Sequence, residues 1–117
     1  MKTDRELLEL AAKAAGVIGH FANNGEDAPI FFDNPKTPGM WGVWNPLTDD
    51  GDALRLAVKV GAWPVRGRRV IPGDWSESIF IRVVVNGLQF DEIFTDDPYA
   101  ATRRAIVRAA AEIGSQS

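Results

Sequence analysis

The chain has 117 residues, 45% of them hydrophobic, and no cysteine, so it can form one globular domain that buries roughly two thirds of its unfolded surface. Without thiols, disulfides, thiolate zinc centres and iron-sulfur clusters are excluded; stability must come from side-chain packing, and a reducing cytoplasm is the natural compartment. A net charge of -3 argues against a protein whose main task is to coat nucleic acid, and no apolar run approaches the ~20 residues of a membrane span.

The charge is unevenly spread. Residues 1–52 carry four basic and nine acidic side chains, residues 53–90 carry six basic and two acidic, and residues 91–117 return to a net negative balance. The middle of the chain is therefore where an anionic partner would be met.

Thr3 and Glu6 form the Thr-x-x-Glu signature of a capping box, which predicts a first helix over residues 3–15, stopped by Gly16. Leu7, Ala11, Ala14 and Ile18 recur at helical spacing and are expected to face the core, broadened by Leu8 and Leu10. The charged amino terminus leads straight into this helix and reads as neither a signal peptide nor an anchor. Residues 19–46 hold four glycines and four prolines around the apolar pieces 29–32 and 40–44, a composition that allows short strands or pinned loops. Thr48 or Asp49 then caps a second helix running to about Val60, with Asp49, Asp50 and Asp52 at the positive end of its dipole and Leu54, Ala57, Val58 and Gly61 on one face.

After Gly61 the pattern changes to strands. Residues 63–70 form one candidate, and Pro72 with Gly73 forms a turn. Asn86-Gly87 sits between residues 78–85 and 88–94 as the favoured type I′ hairpin. A two-residue turn pairs Val85 with Leu88, Val83 with Phe90, Arg82 with Asp91, Ile81 with Glu92, Phe80 with Ile93 and Ile79 with Phe94. One face is then apolar from Ile79 to Phe94, interrupted only by Glu92, and is expected to be the core; the other carries the Arg82 and Asp91 pair. Asp96, Asp97 and Pro98 open the last helix, whose stripe Tyr99, Thr102, Ile106, Ala109 and Ile113 is expected to cover the sheet while Arg104 and Arg108 point elsewhere. Gly114 and a polar tail end the chain. The expected fold is α+β, with an antiparallel sheet of three or four strands packed against two or three helices.

Few residues carry chemistry. His20 is the only histidine and reads as a surface or helix-end residue. There is no nucleophile elbow, Walker loop or dinucleotide fingerprint. Asp49, Asp50 and Asp52 are explained by helix capping without a metal, since their spacing is not that of an EF-hand. No catalytic residue, metal or cofactor is assigned. The binding candidates are aromatic and cationic: Trp41, Trp44, Trp63 and Trp75 with Arg66, Arg68 and Arg69. Arginines beside aromatic rings suit a nucleic-acid or protein surface, and equally an edge strand whose charges prevent aggregation. Trp41 and Trp44 are read as anchors of a Pro/Gly-rich loop before they are read as a recognition surface.

Trp44, Asn45 and Pro46, then residues 49–57 (DDGDALRLA), the central hairpin and residues 97–106 (DPYAATRRAI) together resemble the small phage and prophage proteins of the NinX-like kind. The likeness covers residues 41–113 and carries no catalytic signature. It implies a cytoplasmic accessory protein of a mobile element and transfers no active site. The run from residue 62 onward is also topologically similar to the β-β-β-α half of double-stranded-RNA-binding domains, although the acidic start of the last helix would repel phosphate. The expected function is a non-enzymatic interaction module with a protein partner and no membrane; the alternative is a weak nucleic-acid binder using Arg66, Arg68 and Arg69.

Overall fold

The structure, a computed structural model, describes residues 2–22, 30–33, 42–70, 72–73 and 77–116. Each helix begins where a side-chain oxygen can satisfy an orphan backbone amide. The Thr3 hydroxyl accepts from the Glu6 amide at 3.2 Å, and the Glu6 carboxylate accepts from the Thr3 amide, opening α1 (Asp4–Ala15) with the expected capping box.

Three short strands follow, β1 (Gly19–Ala22), β2 (Ile30–Asp33) and β3 (Gly42–Trp44), and form an antiparallel sheet of their own in the order β1-β2-β3. β1 was not expected. It contains His20, which lies opposite Phe32 in a strand and not at a helix end.

Asn45 makes the joint between β3 and the next helix. Its amide donates to Asp52 Oδ2 at 3.0 Å, its side-chain oxygen accepts from the Leu47 amide at 3.0 Å, and its carbonyl accepts from the amides of Thr48 and Asp49. Asp49 then caps α2 (Asp50–Val60) by accepting from the Asp52 amide at 2.8 Å. This turn buries Trp44 and Pro46 on one side and aims the helix on the other.

The second sheet, β4 (Pro64–Val70), β5 (Glu77–Val85) and β6 (Leu88–Ile93), is an antiparallel meander in sequence order. Asn86 and Gly87 both adopt positive φ, 53° and 80°, as the type I′ turn requires. The register from Val85–Leu88 to Phe80–Ile93 is as expected, and Phe94 N–H donates to the Ile79 carbonyl at 2.8 Å. Ile81, Val83 and Val85 are buried on one face, with Phe90 and Phe94 half-buried beside them.

α3 (Pro98–Ser115), capped by Asp97, packs against β5 and β6; α1 and α2 pack in turn against α3. Three helices with an antiparallel meander make the fold α+β, as expected.

Three expectations about faces need correction. In α1 the buried positions are Leu7, Leu8, Ala11 and Ala12, while Ile18 lies beyond the helix and is 71% exposed. In α2 they are Ala53, Leu56 and Ala57, so Leu54 and Val58 face outward. Tyr99, at the first turn of α3, is exposed and does not cover the sheet. Gly114, near the end of α3, has a packing role: a Cβ at this position would collide with the backbone carbonyl oxygen of Leu10, so glycine is what allows α1 and α3 to approach.

Candidate functional site

The pleat of β4 decides where the arginines go. Arg66 and Arg68 stand opposite Ile81 and Ile79, on the side of the sheet that carries the core, and Arg68 pairs with Glu77 at 3.7 Å. Arg69 stands opposite Ser78, on the other side. The expected three-arginine stripe is therefore split between two faces, because neighbouring residues of a strand point to opposite sides. All three lie on an edge strand, which their charge protects from pairing with another sheet.

The face shared by Arg69 is the candidate site. Gly67 leaves room for the Phe80 ring to lie across β4, where any side chain would strike the ring. The guanidinium carbons of Arg69 and Arg82 sit 5.6 and 5.0 Å from the ring centroid, within cation-π range. Arg82 also donates two hydrogen bonds to Asp91, at 2.8 and 3.0 Å. Val65, Val84 and Ile93 surround this group, exposed by 64%, 53% and 65%. The result is an open apolar surface crossed by a fixed row of cation, ring, cation and carboxylate.

Asp91 is held below its ordinary value of 3.8, chiefly by the hydrogen bonds from Arg82, against the opposing effect of desolvation and with lesser help from the positive charges of Arg82, Arg69 and Arg108. Arg82 is raised by the same hydrogen bonds. A depressed carboxyl stabilises the fold above its unfolded pKa and loses that contribution as pH falls through the folded value. Stability should therefore decline below about pH 4, and Asp91→Asn should flatten this part of the profile. Urea midpoints between pH 2.5 and 6 measure it; an unchanged slope in the variant would show that the pair is too solvated to matter.

No family model matches this chain, and neither does any curated protein or solved structure. The site is therefore described by its own geometry.

The other sequence candidates fall in different places. Trp44 is 7% exposed and belongs to the core cluster, so it is an anchor and not a recognition residue. Trp41 and Trp75 lie outside the described residues. Trp63 is 56% exposed and, with Leu54, Pro64, Tyr99 and Ile106, lines an open cavity of about 350 Å³ between α2 and α3. Asp49, Asp50 and Asp52 are turned to structural work: Asp49 caps α2, Asp52 holds Asn45 and Arg55, and Asp50 receives Arg103 at 2.6 Å. Arg103 also donates to the Leu47 carbonyl, tying α3 to the start of α2.

Glu92, the charged interruption of the core face, is answered from α3. Arg108 donates to it at 2.6 Å and to the Asp91 carbonyl at 3.1 Å, and Arg104 reaches both Glu92 and Asp4. Arg104 and Arg108 thus point back to the sheet and to α1, contrary to expectation. They line a cavity of about 540 Å³ with Lys2, Phe90 and Glu112, where carboxylates already partner both guanidinium groups. Phe80 lies close to the arginines of β4 in the sequence reading, whereas Arg82 was missed as a site residue: its pairing with Asp91 was expected, but not its place over the Phe80 ring.

Among the described residues no helix is long and apolar enough to cross a membrane.

Proposed function

We propose that the protein is a non-enzymatic interaction module that binds a protein segment on the open face of the β4-β5-β6 sheet. The observation that carries this reading is the cluster of Val65, Val84 and Ile93, each more than half exposed, around a Phe80 ring held between two guanidinium groups. Apolar area with a fixed aromatic and arginine at its centre is the composition of a protein contact. Charge selects the partner. Arg82 is occupied by Asp91, whereas Arg69 makes no ion pair among the described residues, so the segment presents apolar side chains and one carboxylate that reaches Arg69.

The nucleic-acid alternative is weaker on the same grounds. Asp91 places a carboxylate in the middle of the surface, and Arg66 and Arg68 lie on the opposite side.

Two measurements test the proposal. The tagged protein should retain a protein from a host lysate with and without nuclease, and Ile93→Asp, placed on an exposed residue, should abolish retention without lowering the melting temperature. Fluorescence anisotropy with labelled single- and double-stranded oligonucleotides should show no tight binding at two salt concentrations. Micromolar binding that falls steeply with salt and is lost in Arg69→Glu would reverse the conclusion in favour of nucleic acid.

A further inference from the structure

The backbone of β4 has an open side. In β5 the Ile79 carbonyl accepts from the Phe94 amide, so alternate residues from Ile79 to Val85 turn their backbone groups toward β6, and the residues between them turn theirs toward β4. Carried through the register, this means that Val65, Gly67 and Arg69 bond inward, while Pro64, Arg66, Arg68 and Val70 direct their backbone groups away from the sheet. Pro64, which has no amide to offer, stands at one of the outward positions, where an edge strand tolerates proline. The outward amides of Arg66, Arg68 and Val70 meet no strand among the described residues.

Edge strands are commonly blunted by being short or bulged, but β4 pairs without a bulge over its 7 residues. Its protection is charge. Arg66, Arg68 and Arg69 are all exposed, and β4 carries no acidic residue. Arg66 makes no ion pair among the described residues, and Arg68 has only the long contact to Glu77. Such an edge repels a second copy of itself, arginine against arginine, and attracts a strand of opposite charge.

We propose that the outer edge of β4 takes up an acidic extended segment as an added antiparallel strand. This rests on the reading of the sheet as a module for a protein segment and specifies how that segment is held: main-chain hydrogen bonds supply the grip and alternate side chains supply the selectivity. The register sets the pattern. Opposite Arg69, Arg68, Gly67, Arg66 and Val65 the segment reads, from its amino end, acid, acid, apolar, acid, apolar. The first acid and the two apolar residues lie on the open face, with the carboxylate at Arg69 and the apolar side chains beside the Phe80 ring and Val65. The other two acids lie on the reverse face against Arg68 and Arg66. Partner residues that follow the strand can then cross the open face toward Val84 and Ile93.

A labelled synthetic peptide with glutamate, glutamate, valine, glutamate and valine at its centre, flanked by serines, is the probe. Fluorescence anisotropy should give a dissociation constant under about 100 μM. Glutamine in place of the three glutamates should weaken binding at least tenfold, and so should Arg66→Glu with Arg68→Glu, whose circular dichroism spectrum should be unchanged because both positions are exposed. N-methylation separates strand pairing from simple charge attraction. The amides of the second and third glutamates point to β4, so methylating either should weaken binding at least tenfold; the valine amides point away, and methylating either should change affinity less than about threefold. A peptide that does not bind at about 1 mM, or one weakened equally by both kinds of methylation, would overturn the inference. Ile93 lies two strands away on β6, so Ile93→Asp should leave peptide binding unchanged. The open-face module is therefore judged separately, by the retention from lysate that Ile93→Asp removes, and it survives a failure of the strand.

Discussion

Gly114→Ala is expected to destabilise the fold by about 3 kcal/mol, although alanine is the better helix former by about 1 kcal/mol. Gly114 is buried inside α3, and an added methyl group would meet the backbone carbonyl of Leu10. A flexible side chain could turn aside; a backbone carbonyl in the body of α1 can give way only if the two helices separate. That separation would loosen the packing between α3 and the side of α1 that buries Leu7, Leu8, Ala11 and Ala12. Urea unfolding of the two proteins decides the matter. A stabilised variant would mean that local propensity outweighs the interhelical contact and that α1 and α3 lie farther apart than described.

The features legible in sequence are those fixed by neighbours along the chain. The Thr3 and Glu6 capping box, the Asp49 and Asp97 caps and the Asn86-Gly87 turn each bring the bonding partners within a few residues, and the hairpin register follows from its turn. What sequence did not settle was which side of a helix meets the core. α2 has two apolar sides at helical spacing, one through Ala53, Leu56 and Ala57 and the other through Leu54 and Val58, and the smaller side is the buried one. The Asn45 turn and the Arg103 bonds to Leu47 and Asp50 orient the helix, and these join residues up to 56 positions apart. The packing role of Gly114 is not legible for a related reason: nothing near it in sequence shows that the Leu10 backbone lies against it. The arginine stripe was a different kind of error. Period-two alternation on a strand was available from the sequence, and it already separates Arg66 and Arg68 from Arg69.

Leu8→Ala should cost about 3 kcal/mol, the second large effect, whereas Ile18→Ala should change stability by less than about 0.5 kcal/mol. Both residues were expected to contribute to the first helix's core-facing side, yet Leu8 is fully buried and Ile18 is 71% exposed. Removing the Leu8 side chain loses its transfer free energy and leaves a void against helices that cannot close it completely. Ile18 lies beyond the Gly16 cap and has little buried surface to lose. The pair thus measures where α1 faces and not merely how apolar it is. Urea midpoints should fall for Leu8→Ala with an unchanged denaturant slope, because the unfolded surface is the same while the native fold is only weakened. Comparable losses in the two variants would show that α1 is rotated about its axis relative to α3.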